Sequence, residues 1–183
     1  PAAPTVTTPI SYCQNATANT LIASGINLLW YTAATGGTGS ATAPTPTTTT
    51  AGNTTYYVSQ TSGACESPRA NIVVTVNANP AAPTVTTPIS YCQNATATAL
   101  IASGTNLLWY TTATGGTGSA TAPTPITTTA GNITYYVSQT SGACESPRAS
   151  IVVTVNATPA APTVTTPISY CQNATANTLI ASG

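Results

Sequence analysis

Histidine, methionine and phenylalanine are absent from this sequence of 183 residues, and only 2% of it is charged, where an ordinary soluble domain holds about a quarter. The four charged residues are Glu66, Arg69, Glu145 and Arg148. Without His or Asp no Ser-His-Asp or Cys-His nucleophile system can be assembled, because the nucleophile needs a titratable partner within hydrogen-bond reach. The chain therefore reads as a non-enzyme. No metal or cofactor is expected either, since one Glu per repeat falls far short of the about six to eight oxygens of a calcium bridge. The missing Lys excludes Lys–Asn isopeptide crosslinks. A formal net charge of zero leaves no basic surface for nucleic acid, whose binding runs on counterion release, and none for anionic lipid headgroups. The longest apolar runs, such as Leu28-Leu29-Trp30-Tyr31, are much shorter than the about 20 residues of a spanning helix, so no membrane insertion is expected. Pro1 rather than Met opens the sequence, which reads as a fragment or a processed product.

What is present is repetition. Shifted by 79 residues, Pro1–Asn79 matches Pro80–Thr158 at all but eight positions, and Pro159–Gly183 is identical to Pro1–Gly25. The expected organisation is one repeat over 1–79, a second over 80–158, and the start of a third over 159–183 that holds only its first two strands. Near-identical tandem copies suit a rod, stalk or multivalent array rather than a catalyst, because copying adds reach and avidity but no new chemistry. The junction Val76-Asn77-Ala78-Asn79-Pro80-Ala81-Ala82-Pro83 is short and flanked by Pro, whose fixed φ favours a stiff linker.

Each repeat reads as all-β. Thr supplies 42 residues, Val, Ile and Tyr are prominent, and Gly, Pro and Asn punctuate the apolar stretches, the pattern of short strands in a two-sheet sandwich. Strands are expected near Ala3–Thr8, Thr20–Ser24, Asn27–Thr32, Gly39–Ala43, Pro46–Thr49, Thr55–Thr61 and Ala70–Asn77. Alternation puts Leu28 and Trp30 on one face and Leu29 and Tyr31 on the other. Trp30, Trp109, Tyr56 and Tyr135 are the expected core anchors. Tyr56, with its copy Tyr135, sits where a tyrosine corner of an immunoglobulin-type sandwich lies, two residues before a core position held here by Val58.

Five cysteines, Cys13, Cys65, Cys92, Cys144 and Cys171, stand at regular spacing with no metal-binding companions, which points to an oxidising, secreted setting. Two pairings compete. One is within repeats, Cys13 with Cys65 and Cys92 with Cys144. The other crosses the junction, Cys13 with Cys144. With Cys13 in a turn between the first two strands and Cys65 in the loop before the last, an immunoglobulin-like order puts them at opposite ends, beyond the about 7 Å a disulfide spans between Cα atoms. The reading leans to the inter-repeat pairing and leaves both open.

Sequons occur at Asn15, Asn53, Asn94, Asn132, Asn156 and Asn173; each is a candidate glycosylation site and each is weak, because a chain this rich in Asn and Thr produces them by composition. Glu66 and Arg69 read as a local turn clamp or a contact to the next repeat. Tyr31 and Tyr12, with their copies, are candidates for stacking on sugar rings if exposed, which makes surface glycans an alternative partner. Near-zero net charge favours association over self-repulsion, so the first-choice partners are further copies of the same repeat.

With Tyr12-Cys13-Gln14, Leu28-Leu29-Trp30-Tyr31, Thr35-Gly36-Gly37, Ala43-Pro44-Thr45-Pro46, Tyr56-Tyr57-Val58-Ser59-Gln60 and Cys65-Glu66-Ser67-Pro68-Arg69 in order, each unit resembles the immunoglobulin-like repeats of very large Bacteroidota surface proteins, including those linked to gliding and Cytophaga-type secreted proteins. The resemblance implies an extracellular sandwich module, exported by the type 9 system, that serves as spacer or stalk of a cell-surface adhesin or filament. It carries over no catalytic or ligand residue.

Overall fold

The structure is a computed structural model that describes all 183 residues. The first repeat holds β1 (Thr5–Val6), β2 (Ile10–Cys13), β3 (Ala23–Ser24), β4 (Leu28–Tyr31), β5 (Gly52–Ser62), β6 (Cys65–Glu66) and β7 (Ala70–Asn77). The second repeats them as β8 (Thr84–Val85), β9 (Ile89–Cys92), β10 (Ala102–Ser103), β11 (Leu107–Tyr110), β12 (Gly131–Ser141), β13 (Cys144–Glu145) and β14 (Ala149–Asn156). No helix is long and apolar enough to cross a membrane.

Each repeat is a sandwich of one large and one small sheet. The large sheet runs β2-β7-β5-β4, with β6 folding back on β5 as a hairpin, and the small one is β1 paired with β3. Strand alternation sorts the faces. Ile72, Val74 and Val76 of β7 are buried while Val73 and Thr75 are half-buried. Trp30, Val58, Ile72, Val74 and Leu21 form the first core, with Val6 and Ala23 of the small sheet, Ile10 of β2 and Ala43 packed against it. The second core repeats this around Trp109, Val137, Ile151 and Val153. Each core lies wholly within its own repeat.

Several expected strands differ from those observed. Ile10–Cys13, whose Cys13 was expected in a turn, is β2, and it runs parallel to β7 with Ile10 opposite Val74 and Cys13 opposite Asn77. Pro9 cannot donate to a ladder, so it separates β1 in the small sheet from β2 in the large one. Gly39–Ala43 shrinks to a single bridge between Ser40 and Trp30. Pro46–Thr49 lies in a loop, Pro44–Thr49, whose carbonyls meet scattered donors, Asn15 N at Thr48 O (2.9 Å) and Leu21 N at Pro44 O (2.9 Å), because Pro44 and Pro46 remove two of the donors a ladder needs. Ala3–Thr8 and Thr20–Ser24 shorten to β1 and β3.

Residues 159–183 form only β15 (Thr163–Val164) paired with β16 (Ala181–Ser182), and every one of them is exposed. Two short strands without an opposing sheet bury no core.

Candidate functional site: the junction between repeats

Cys13 ends β2 at the last rung of the parallel ladder, opposite Asn77. Its surroundings are tied to the linker: Gln14 N donates to Asn77 O at 2.8 Å, and Asn79 Nδ2 donates to Gln14 O at 3.1 Å. On the other side, Ala81 O accepts from Gln139 Nε2 of the second repeat at 2.7 Å. The linker is thus hydrogen-bonded to both repeats on either side of Pro80. Asn79 Oδ1 is buried there without a partner.

Facing Cys13 is the β12–β13 hairpin, in which Ser141 pairs with Cys144 across the two-residue loop Gly142-Ala143. Cys13 and Cys144 form a disulfide with their Cα atoms 5.4 Å apart, closing a sequence separation of 131 residues. Cys65, Cys92 and Cys171 are free and exposed.

Strand geometry explains why Cys13 does not bond Cys65. Gly52 is level with Val76, one residue before the Cys13 rung, while Cys65 is level with Ser62 at the other end of β5. Those 11 residues of β5 span roughly 33 Å at about 3.3 Å each, against the about 7 Å a disulfide allows. The hairpin and the end of β2 therefore sit at opposite ends of every repeat.

Duplication supplies an internal control. Cys144 is 3% exposed, whereas its copy Cys65 is exposed; Cys13 is half-buried, whereas Cys92 is exposed. The neighbouring repeat makes the difference.

The charged residues lie at the base of the same hairpin. Tyr31 Oη donates to Glu66 Oε1 at 2.6 Å and Ser59 Oγ donates to the same oxygen at 2.7 Å. The Arg69 guanidinium carbon sits 3.3 Å from the Tyr31 ring centroid, and Nη1 donates to Ala33 O at 2.7 Å. Tyr110, Glu145 and Arg148 repeat this, with Arg148 3.2 Å from the Tyr110 ring centroid. The Tyr31 and Ser59 hydroxyls hold the Glu66 carboxyl below its ordinary value, with Arg69 adding to them and desolvation opposing. For Glu145 the Ser138 hydroxyl lowers it most, against desolvation, with Tyr110 and Arg148 contributing.

This cluster corrects the sugar-stacking expectation for Tyr31 and Tyr110. Each is 7% exposed, its ring face covered by Arg and its hydroxyl engaged. Tyr12 and Tyr91 are half-buried and line grooves of about 380 and 340 Å³ beside β1–β3 and β8–β10. Trp30 and Trp109 are each 5% exposed and lie in the cores. Tyr56 and Tyr135 add their rings to the cores, but neither hydroxyl makes the backbone bond of a tyrosine corner. The sequon residues Asn15, Asn53, Asn94, Asn132, Asn156 and Asn173 are all exposed. Ser59 went unnoticed in the sequence, although alternation along β5 puts it on the face of Tyr31, since Tyr57 pairs with Tyr31 and Ser59 with Leu29. Gln139 and Asn79, which hold the linker, carry no local signal.

The family described as Ig-like domain, CHU_C associated, matches residues 1–78 and again residues 80–157. The chain belongs to this Ig-like family. Its two tandem matches agree with the resemblance to Bacteroidota-type Ig-like repeats. No curated protein matches the chain. Among solved structures, the Ig-like pair is similar to the protocadherin gammaB4 extracellular domain, at 13% identity and a TM-score of 0.30, over 86% of this chain and 34% of that one. It is also similar to mouse cadherin-23 EC22-24, at 12% identity and a TM-score of 0.28, over 85% of this chain and 65% of that one. The chain thus spans about a third of the first and under two thirds of the second.

Proposed function

We propose that this chain is a non-enzymatic spacer in an extracellular fibre or adhesin stalk on a bacterial surface, its repeats held in line by a disulfide at the junction. The Cys13–Cys144 bond carries the reading. A disulfide inside one repeat would stabilise that repeat alone, whereas this one fixes two separately cored domains to each other. Persistence of such a bond belongs to oxidising compartments, which supports an extracellular setting. Export by the type 9 system follows from the family resemblance.

Small-angle scattering tests it. The oxidised chain is expected to give the profile of one extended two-repeat particle, and Cys13→Ser with Cys144→Ser to broaden the distribution of interatomic distances at unchanged circular dichroism. A folded-back pair, or a profile indifferent to the two substitutions, overturns the spacer reading. Sugar binding, the alternative role, rests on the grooves beside Tyr12 and Tyr91. A polysaccharide pull-down abolished by Tyr12→Ala with Tyr91→Ala would establish it; retention of nothing by the unaltered chain removes it.

A further inference from the structure

We propose that the Cys13–Cys144 bond gives this chain a further function, that of a tether under tension: a pull along the stalk passes from β2 through the bond into β13 and goes round the repeat cores. The inference rests on the stalk reading and assigns that stalk a mechanical role.

A pull that enters along β1 and leaves along β14 has two covalent routes. One follows the backbone through both repeats. The other runs from Pro1 to Cys13, crosses the bond and continues from Cys144 to Asn156, 13 residues on either side. The shorter route tightens first. Everything from Gln14 to Ala143 hangs from it as a closed loop. That loop holds all five buried residues of the first core and, in the second, Leu100, Trp109, Tyr135 and Val137.

Lengths decide how little the short route can give. Its 26 residues reach at most about 90 Å when fully extended, against about 550 Å for the 156 residues from Pro1 to Asn156. Two repeats in line already take up at least about 66 Å of that, since β5 and β12, of 11 residues each, run roughly 33 Å apiece. Almost no slack is left to draw out.

Strand directions point the same way. β2 and β7 run parallel over four rungs, from Ile10–Val74 to Cys13–Asn77. Without the bond, a pull on β1 in one direction and on the linker after Asn77 in the other would shear those rungs. With it, the β1–β2 segment is held at both ends by the pull itself, and β7 is idle. The linker hydrogen bonds at Gln14 and Ala81 are relieved in the same way. Forced unfolding is governed by the unfolding rate, and a loop outside the taut route is not driven along that path.

The test is single-molecule pulling of the full chain from its two ends, with Cys65→Ser, Cys92→Ser and Cys171→Ser throughout, so that only Cys13 and Cys144 can pair. The exposed residues 157–183 add less than about 100 Å in every case. The parent is expected to show no single step above about 100 Å before the tether breaks. Cys13→Ser with Cys144→Ser, checked as folded by circular dichroism, is expected to add two steps of roughly 240 Å, the 79 residues of a repeat less its folded span. A second arm keeps the bond intact and moves the first handle to Asn53. The taut route then includes the 40 residues back to Cys13, and one step of roughly 130 Å is expected. Steps of the full-repeat size in the parent, a serine variant that extends no further than the parent, or no step from Asn53 each overturn the proposal. The stalk reading fails separately, by scattering from the relaxed chain that shows a folded-back pair, whatever the pulling traces give.

Discussion

Tyr31 donates its hydroxyl to Glu66 at 2.6 Å, and Glu66 follows the hairpin cysteine Cys65 directly. A chain with four charged residues spends all of them on this arrangement, once in each repeat. The cluster ties the base of the hairpin to the outer face of the large sheet. In the second repeat Tyr110→Phe keeps the ring under Arg148 and removes only the bond to Glu145. It is expected to cost about 1 kcal/mol, at the low side because solvent reaches the carboxylate and screens it. A urea midpoint followed by Trp109 fluorescence in a Trp30→Phe background checks this, and no shift would mean that packing alone holds the hairpin.

Both Glu carboxyls are held below their ordinary value, chiefly by hydroxyl donors. A carboxyl depressed in the folded state contributes stability that is complete above its unfolded pKa, about 4.3. That stability is lost as pH falls through the lower folded value. With no His and no other acidic side chain, thermal stability is expected to be flat from about pH 5 to 7 and to decline only below about pH 4. Glu66→Gln with Glu145→Gln should remove most of that acid decline. A melting temperature that already falls near pH 6 would contradict the assignment.

The sequence showed β4, β5 and β7 because their alternation is local: Leu28 and Trp30 inward, Ile72, Val74 and Val76 inward. β2 was hidden because its partner lies 64 residues away, Ile10 against Val74, in a parallel pairing. Short parallel strands flanked by Pro and Asn leave the same local pattern as a turn. The Thr tract at Pro46–Thr49 misleads in the opposite sense, since β-branched propensity is high there while Pro44 and Pro46 break the donor row. Tyr31 looked like an exposed platform because the residue that covers it, Arg69, is distant in sequence. The separation of Cys13 from Cys65 did emerge from topology, but through a turn that is in fact a strand.

Each repeat carries one tryptophan, so removing one leaves fluorescence to report the other repeat alone. Trp30 is 5% exposed inside a core that shares no residue with the second repeat. Trp30→Ala is expected to destabilise the first repeat by about 3–5 kcal/mol. Trp109 then reports an almost unchanged second transition. If the Trp109 midpoint drops together with the first repeat, the two cores are thermodynamically coupled across the junction, and the disulfide or the linker bonds carry that coupling.

Gly142 has φ +58 and no atom within 4 Å of where a Cβ would stand, so an alanine there meets strain and no clash. Gly142 and Ala143 form the whole loop between Ser141 and Cys144, and only the first has positive φ, the pattern of a type II′ hairpin turn. Gly142→Ala is expected to destabilise the hairpin by about 1 kcal/mol, too little to unfold a repeat whose core lies elsewhere. The effect belongs at the junction. After reduction and re-oxidation, the Cys13–Cys144 bond should form more slowly than in the parent at unchanged circular dichroism, because the hairpin presents Cys144 less often at the end of β2. Gly115→Ala, at φ +65 in a loop outside the junction and likewise with no atom within 4 Å of a Cβ, carries a similar backbone cost and should leave the oxidation rate alone. Equal slowing by both substitutions would show general loosening of the repeat and remove the hairpin from its assigned part in joining the two domains.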